Sequence, residues 1–236
     1  SIGRSVQGRD LQVGIVGSES GPSVVVVGGI QGDQTNTRDL VARLAEDFDG
    51  VRERLADDVT FYFIPTINPD GAAAESRRNA NNVDLNRNWD TFDWTSDPEQ
   101  PEGVVEGAGG SRPHSEPETQ SLVAYLQMLQ RRDPDVRFVL WHASRRLSSG
   151  GQVYPGYTSE GLDGDSFDLA RRYADSAGYT VRDDWAPYET TGEPIAWCAE
   201  EGIAAIDVVI PRSASGGDSD LRRTTVNALL AIAQFP

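Results

Sequence analysis

Apolar residues recur along this chain with two periods, and the period changes from segment to segment. Leu11 to Val16 reads as a strand, and the unbroken apolar run Val24 to Val27 reads as a strand buried on both faces. Thr37 to Phe48 spaces Leu40, Val41, Leu44 and Phe48 three and four apart, which predicts a helix with one apolar face. Val59 to Ile64 is a further strand, stopped by Pro65. Asn68 to Gly110 is rich in Asn, Asp, Gly and Pro, the composition of long ordered loops that carry function. Ser115 to Arg131 predicts a helix, with Ser115 as cap and Glu118 as its capping-box partner. Val136 to His142 predicts a strand and Phe167 to Gly178 a helix ending on glycine. Ala204 to Ile210 predicts a buried strand and Leu221 to Phe235 a closing helix. Strands alternating with helices imply a single α/β domain over residues 1–236, with a mixed, mostly parallel sheet between two helical layers.

Composition narrows the partners. With 236 residues, 38% of them hydrophobic, the chain can enclose a substantial core, and it has no apolar run long enough for a membrane span. The formal charge is -16, from 37 acidic and 21 basic residues, and every basic residue is arginine. A surface of that sign repels nucleic acid and anionic membranes, which excludes both as partners. The one cysteine, Cys198, follows Ile195, Ala196 and Trp197, an apolar setting expected to bury an inert thiol. Trp185 and Trp197 are expected to pack rather than to stack on a ligand.

Ordered motifs sharpen the picture. Gly28-Gly29-Ile30-Gln31-Gly32-Asp33-Gln34, directly after the valine run, resembles the GGxHGxE turn of the zinc carboxypeptidases. Ile67 to Gly71 resembles that family's NPDG turn, and Arg77 to Trp89 its RxNxxGVDLNRNW signature. Ser115 to Thr119 is similar to its SEPET helix start, Leu140 to Ser144 to the strand bearing its last metal ligand, and Ser5 to Arg9 to its opening GRSxxGR. The resemblance covers nearly the whole chain and lies nearest the bacterial branch that processes murein peptides. It implies the α/β/α sandwich, and it favours an extracytoplasmic setting.

The same resemblance places Gln31, Gln34 and His142 where the family binds zinc through His, Glu and His. A neutral amide oxygen is a poorer zinc donor than imidazole or carboxylate, so zinc is expected to be absent or weakly held. Val209 stands where the family's TxELP pattern carries the catalytic glutamate, and valine cannot accept a proton. Arg77 falls at the position that polarises the scissile carbonyl, and Asn86 and Arg87 at positions that hold the substrate's terminal carboxylate. Arginine suits that task because its planar fork donates two parallel hydrogen bonds. Tyr188 is the candidate for a tyrosine over the ligand. Asp207 is expected to face the pocket for the terminal side chain and to favour a cationic group there, or else to pair with Arg145 or Arg146.

Three readings follow. In the first, the chain recognises peptides through a free C-terminal carboxylate, including basic or cell-wall peptides, without cutting them. In the second it is an active metallopeptidase or amidase with a rearranged site built from His142, Asp207 and Asp33. In the third it is a structural or interaction domain whose cleft is filled.

Overall fold

The computed structural model describes residues 1–18, 21–50, 59–183 and 187–234. Phe235 and Trp185 lie outside the described residues.

Among the described residues, seven strands form one sheet in the order β12-β9-β13-β8-β4-β5-β3. They are β3 (Gly14–Val16), β4 (Ser23–Val27), β5 (Thr60–Ile64), β8 (Val136–Ser144), β9 (Gln152–Pro155), β12 (Thr180–Val181) and β13 (Ala204–Pro211). The central pairs β13–β8, β8–β4 and β4–β5 are parallel, as is the edge pair β12–β9, whereas β9 runs against β13 and β3 against β5. The sheet is therefore mixed and mostly parallel. Short hairpins flank it: β1 (Gly3–Arg4) with β2 (Asp10–Leu11), β6 (Glu99–Gln100) with β7 (Gly103–Val104), and β10 (Tyr157–Thr158) with β11 (Gly161–Leu162).

Alternation of side chains along each strand divides the core in two. Val24, Val26, Val139, Trp141, Ile206 and Val208 face α1 (Thr35–Gly50), α4 (Gly164–Ala177) and α6 (Ser219–Ala233). Val25, Val27, Phe138, Leu140 and Ala205 face α3 (Pro117–Arg132) and α5 (Pro194–Glu200). Each fully buried valine or leucine contributes roughly 1.5–3 kcal/mol, so these two clusters hold the three layers together. On the α3/α5 face, the next side chains along β8 and β13 are His142, Asp207 and Val209, with Val209 and His142 in register. The apolar stripe thus runs into a polar end.

Several local expectations change. Leu11 to Val16 is two strands rather than one, because Leu11 pairs with Gly3 in a hairpin while Gly14 to Val16 joins the sheet edge beside β5. The capping box at Ser115 does not form. The helix begins at Pro117, and Ser115 Oγ bonds to Glu116 and Asn88 instead. Glu118 turns away to accept the backbone N–H of Val6. The closing helix starts two residues early, capped by Asp218, whose carboxylate accepts the N–H groups of Asp220 and Leu221. Gly178 ends α4 in the left-handed conformation, as its glycine implied.

Candidate functional site

Parallel strands leave a crevice beyond their carboxyl ends, and the loops after β4, β5, β8 and β13 converge there. The cleft is open to solvent, with a volume of about 620 Å³. Its lining includes Gln31, Gln34, Arg77, Asn86, Arg87, His142, Tyr188, Asp207 and Val209, the residues that the motifs single out. Arg145, Arg146, Asp33, Arg212 and Glu193 also line it.

The first wall is the turn from Gly28 to Gln34. A Cβ on Gly32 would sit 2.1 Å from the carbonyl carbon of Gly71, so only glycine lets this turn lie on α2 (Pro69–Ala73). Asn68 caps α2 and donates to the carbonyls of Ile30 and Arg77, tying three loops together. Within this turn Gln34 Nε2 donates to Gln31 Oε1. Gln31 Oε1 also accepts from Arg77 Nη1 at 3.0 Å, and Gln34 Oε1 accepts the Ala143 N–H at 2.7 Å. Both lone pairs of the Gln31 oxygen are engaged by the protein itself.

The second wall carries the arginines. Asp84, wholly buried, accepts from Arg77 Nε at 2.8 Å, from Gln100 Nε2 at 3.3 Å and from the Asn86 N–H at 3.0 Å. Burial alone would raise the Asp84 pKa, but Arg77 and Arg87 more than offset it and hold the carboxyl below its ordinary 3.8. Burial disfavours the Arg77 cation, yet Asp84 raises its pKa overall. Leu85–Arg87 form a single 3-10 turn, which presents Asn86 and Arg87 side by side. Asn88 completes the wall by donating to the carbonyls of Gly109 and Arg112 and to Ser115 Oγ.

Sequence reasoning missed Glu193. This buried carboxylate accepts from Arg87 Nη1 at 3.0 Å and from Asn86 Nδ2 at 3.2 Å. Its signal was a charged residue directly before Pro194 and an apolar run that becomes the buried helix α5. The pairing expected for Asp207 is also corrected. Its Oδ2 lies 2.8 Å from His142 Nδ1, because residues 207 and 142 share one face of neighbouring strands. Among the described residues, Arg145 and Arg146 carry no ion pair, and both are exposed. Asp207 Oδ1 and His142 Nε2 are buried and have no hydrogen-bond partner among the described residues.

Two further side chains near these in sequence, Asp33 and His114, are engaged by the protein itself. Asp33 pairs with Arg212 through Oδ2 at 3.0 Å, and no group of three His, Cys, Asp or Glu among the described residues could hold a metal ion. The rearranged set of His142, Asp207 and Asp33 does not assemble. His114 packs edge-on against Trp89 and Trp197, and its Nε2 accepts the Asp90 N–H. Trp197 packs at 5.3 Å from Trp89, and Cys198 is fully buried with its thiol pKa pushed well up by burial. Among the described residues no helix is long and apolar enough to cross a membrane.

One consequence is a pH dependence. Asp70, buried, accepts from Ser5 Oγ, the Gln7 N–H and Arg9. Burial acts against ionisation, but the Gln7, Arg9 and Ser5 bonds together lower its pKa, as with Asp84. Both carboxylates therefore bind protons more readily unfolded. Their stabilisation is complete above the ordinary value of 3.8 and is lost as pH falls through the depressed folded values. Thermal scans from pH 6 to pH 2 should show Tm falling below about pH 4, and less steeply in Asp70→Asn.

Comparison with known proteins agrees with this architecture. A profile of the zinc carboxypeptidases matches residues 1–220. Murein peptide amidase A of Vibrio campbellii is 28% identical over 218 residues, which cover 89% of this chain and 78% of that protein. Carboxypeptidase SOL1 of Arabidopsis thaliana is 35% identical over 100 residues, covering 38% of this chain but only 20% of that relative's length. The crystal structure of murein-tripeptide amidase MpaA from Escherichia coli O157 superposes with a TM-score of 0.70 at 21% identity, covering 100% of this chain and 91% of that one. With the profile spanning nearly all of the fold and of the cleft described above, the chain belongs to the zinc carboxypeptidase family.

Proposed function

We propose that this member of the family binds peptides through their free C-terminal carboxylate and does not hydrolyse them. The observation that carries this reading is an open cleft lined by arginines beside amides that are locked on one another. A catalytic zinc needs three strong donors and an open position. Gln31 and Gln34 offer amide oxygens already engaged by Arg77 and Ala143, which leaves His142, through its open Nε2, as the single strong donor of the three. That donor set does not fit zinc. Val209, apolar and buried beside His142 on the next strand, leaves its position without a proton acceptor.

Recognition has better support. Arg77 is held by Asp84 and Gln31 with its guanidinium against the cleft, a preorganised donor for a ligand carbonyl or carboxylate. Arg145 and Arg146, which line the cleft without an ion pair among the described residues, provide local positive charge on an acidic protein. Tyr188 lines the same space. A structural role would explain why Arg77 and Arg87 both meet internal carboxylates, but it leaves an open cleft without a purpose. The test is calorimetric titration of N-acetyl-trialanine against its C-terminal amide. Heat with the acid and none with the amide supports the reading, and no heat with either refutes it.

Within this reading, the unpartnered Asp207 Oδ1 suits a cationic ligand side chain, as on basic or murein-type peptides. Asp207→Ala should weaken binding of N-acetyl-dialanyl-lysine about tenfold or more, the usual worth of a charged hydrogen bond, and barely affect the trialanine. Equal loss for both peptides would sink this assignment.

A further inference from the structure

Glu193 occupies the place where the arginine wall is best suited to hold an anion. Its Oε1 receives one bond from Arg87 and one from Asn86, the two-donor arrangement that a ligand carboxylate would seek. Helix capping does not require it there. Glu193 is the N-cap of α5, yet its side chain makes no capping bond. The backbone that delivers it is rigid: Gly192 adopts a positive φ of 63°, donates to Asp93 Oδ1 and accepts the Trp89 N–H. A Cβ at Gly192 would lie 2.6 Å from the Arg87 carbonyl oxygen, so loop and wall are packed backbone to backbone.

We infer that Glu193 is an internal stand-in for a ligand carboxylate, and that anionic ligands enter the Asn86–Arg87 seat by exchanging with it. This residue then sets which ligands the cleft accepts. A carboxylate must displace Glu193, whereas a neutral terminus has nothing to gain from doing so. The identity of the ligand as a peptide rests on the reading above, but the exchangeable seat does not.

Three observations make the exchange feasible. Glu193 Oε2 meets the Tyr157 hydroxyl at 3.4 Å, the limit of a hydrogen bond, and the carboxyl's other small support is a Thr190 side-chain bond. The side chain borders the open cleft, on the side from which a ligand would approach the seat. Burial, with the neighbouring Asp207, raises the Glu193 pKa despite Arg87, His142 and Thr190, so its ionised form is favoured less than that of Asp84, whose pKa is lowered. Replacing one carboxylate by another leaves Arg87 paired throughout, which avoids an uncompensated buried cation.

The test vacates the seat. In Glu193→Ala, acetate should fill it and raise Tm saturably, because a ligand that binds only the folded state stabilises it. Sodium chloride at the same ionic strength should not, and acetate should leave the wild type unchanged. Affinity for N-acetyl-trialanine should rise about tenfold or more, the usual worth of a charged hydrogen bond recovered. If Glu193→Ala does not fold, Glu193→Gln keeps a bond to Arg87 without the charge, and its peptide affinity should still rise. An acetate response no greater than chloride, with peptide affinity equal to or below that of the wild type, overturns the inference. Acetate filling the seat while neither protein binds peptide refutes the peptide reading and leaves the seat standing.

Discussion

Asp84→Ala is expected to lower stability by about 3–5 kcal/mol, the usual consequence of stripping one partner from a buried ion pair. Asp84 is wholly buried, and its two oxygens collect Arg77, Gln100 and the Asn86 N–H. Its own backbone continues the network, since its N–H donates to the Ala108 carbonyl and its carbonyl accepts the Arg87 N–H. Removing the carboxylate strands the Arg77 guanidinium and frees the start of the 3-10 turn that aims Asn86 and Arg87. Chemical denaturation gives the stability, and the midpoint should shift without a change of slope. Asp84→Asn should lose less, because the amide oxygen still accepts one bond. A loss below about 1 kcal/mol in the alanine variant would show that Arg77 finds another partner, and the wall would not be built as described.

The second large effect concerns Arg87 and Glu193. Arg87 is 2% exposed, and Glu193 is buried beside it. Arg87→Met should cost about 3 kcal/mol or more, since Glu193 is left ionised in a buried site or must take up a proton. Arg87→Met with Glu193→Met should recover most of that loss, because a buried pair replaced by apolar groups of similar volume is often close to neutral. The coupling from the double-mutant cycle should be at least about 1.5 kcal/mol. Additive losses would mean that the two residues do not act on each other. The double variant should also lose peptide binding while remaining folded, which separates the seat's role in recognition from its role in stability.

The sheet could be read from the chain because buried parallel strands write themselves as near-continuous apolar runs, such as Val24 to Val27 and, with the one charge of Asp207, Ala204 to Ile210. Helices were legible from the three-and-four spacing of Leu40, Val41, Leu44 and Phe48, all of which are fully buried. Motif order brought Gln31, Arg77, Asn86, Arg87 and His142 to one cleft without reference to distance. What the chain could not disclose is register. Asp207 was visibly a charge inside an apolar strand and so needed a partner, but its being His142 depends on how β13 lies against β8. Glu193 was harder still. Its loop reads as a solvated turn, and only tertiary packing of α5 under Trp89 makes it a buried carboxylate beside Arg87. The hairpin that takes Leu11 from the sheet is a similar case, since Leu11 to Val16 alone does not say which strand each half will meet.

Incubation of the zinc-supplemented protein with N-acetyl-trialanine and N-acetyl-dialanyl-lysine, followed by mass spectrometry of the peptides and metal analysis of the desalted protein, tests the central claim most directly. The account predicts bound peptide that stays intact and zinc well below one equivalent. Released C-terminal amino acid together with one equivalent of zinc would contradict it.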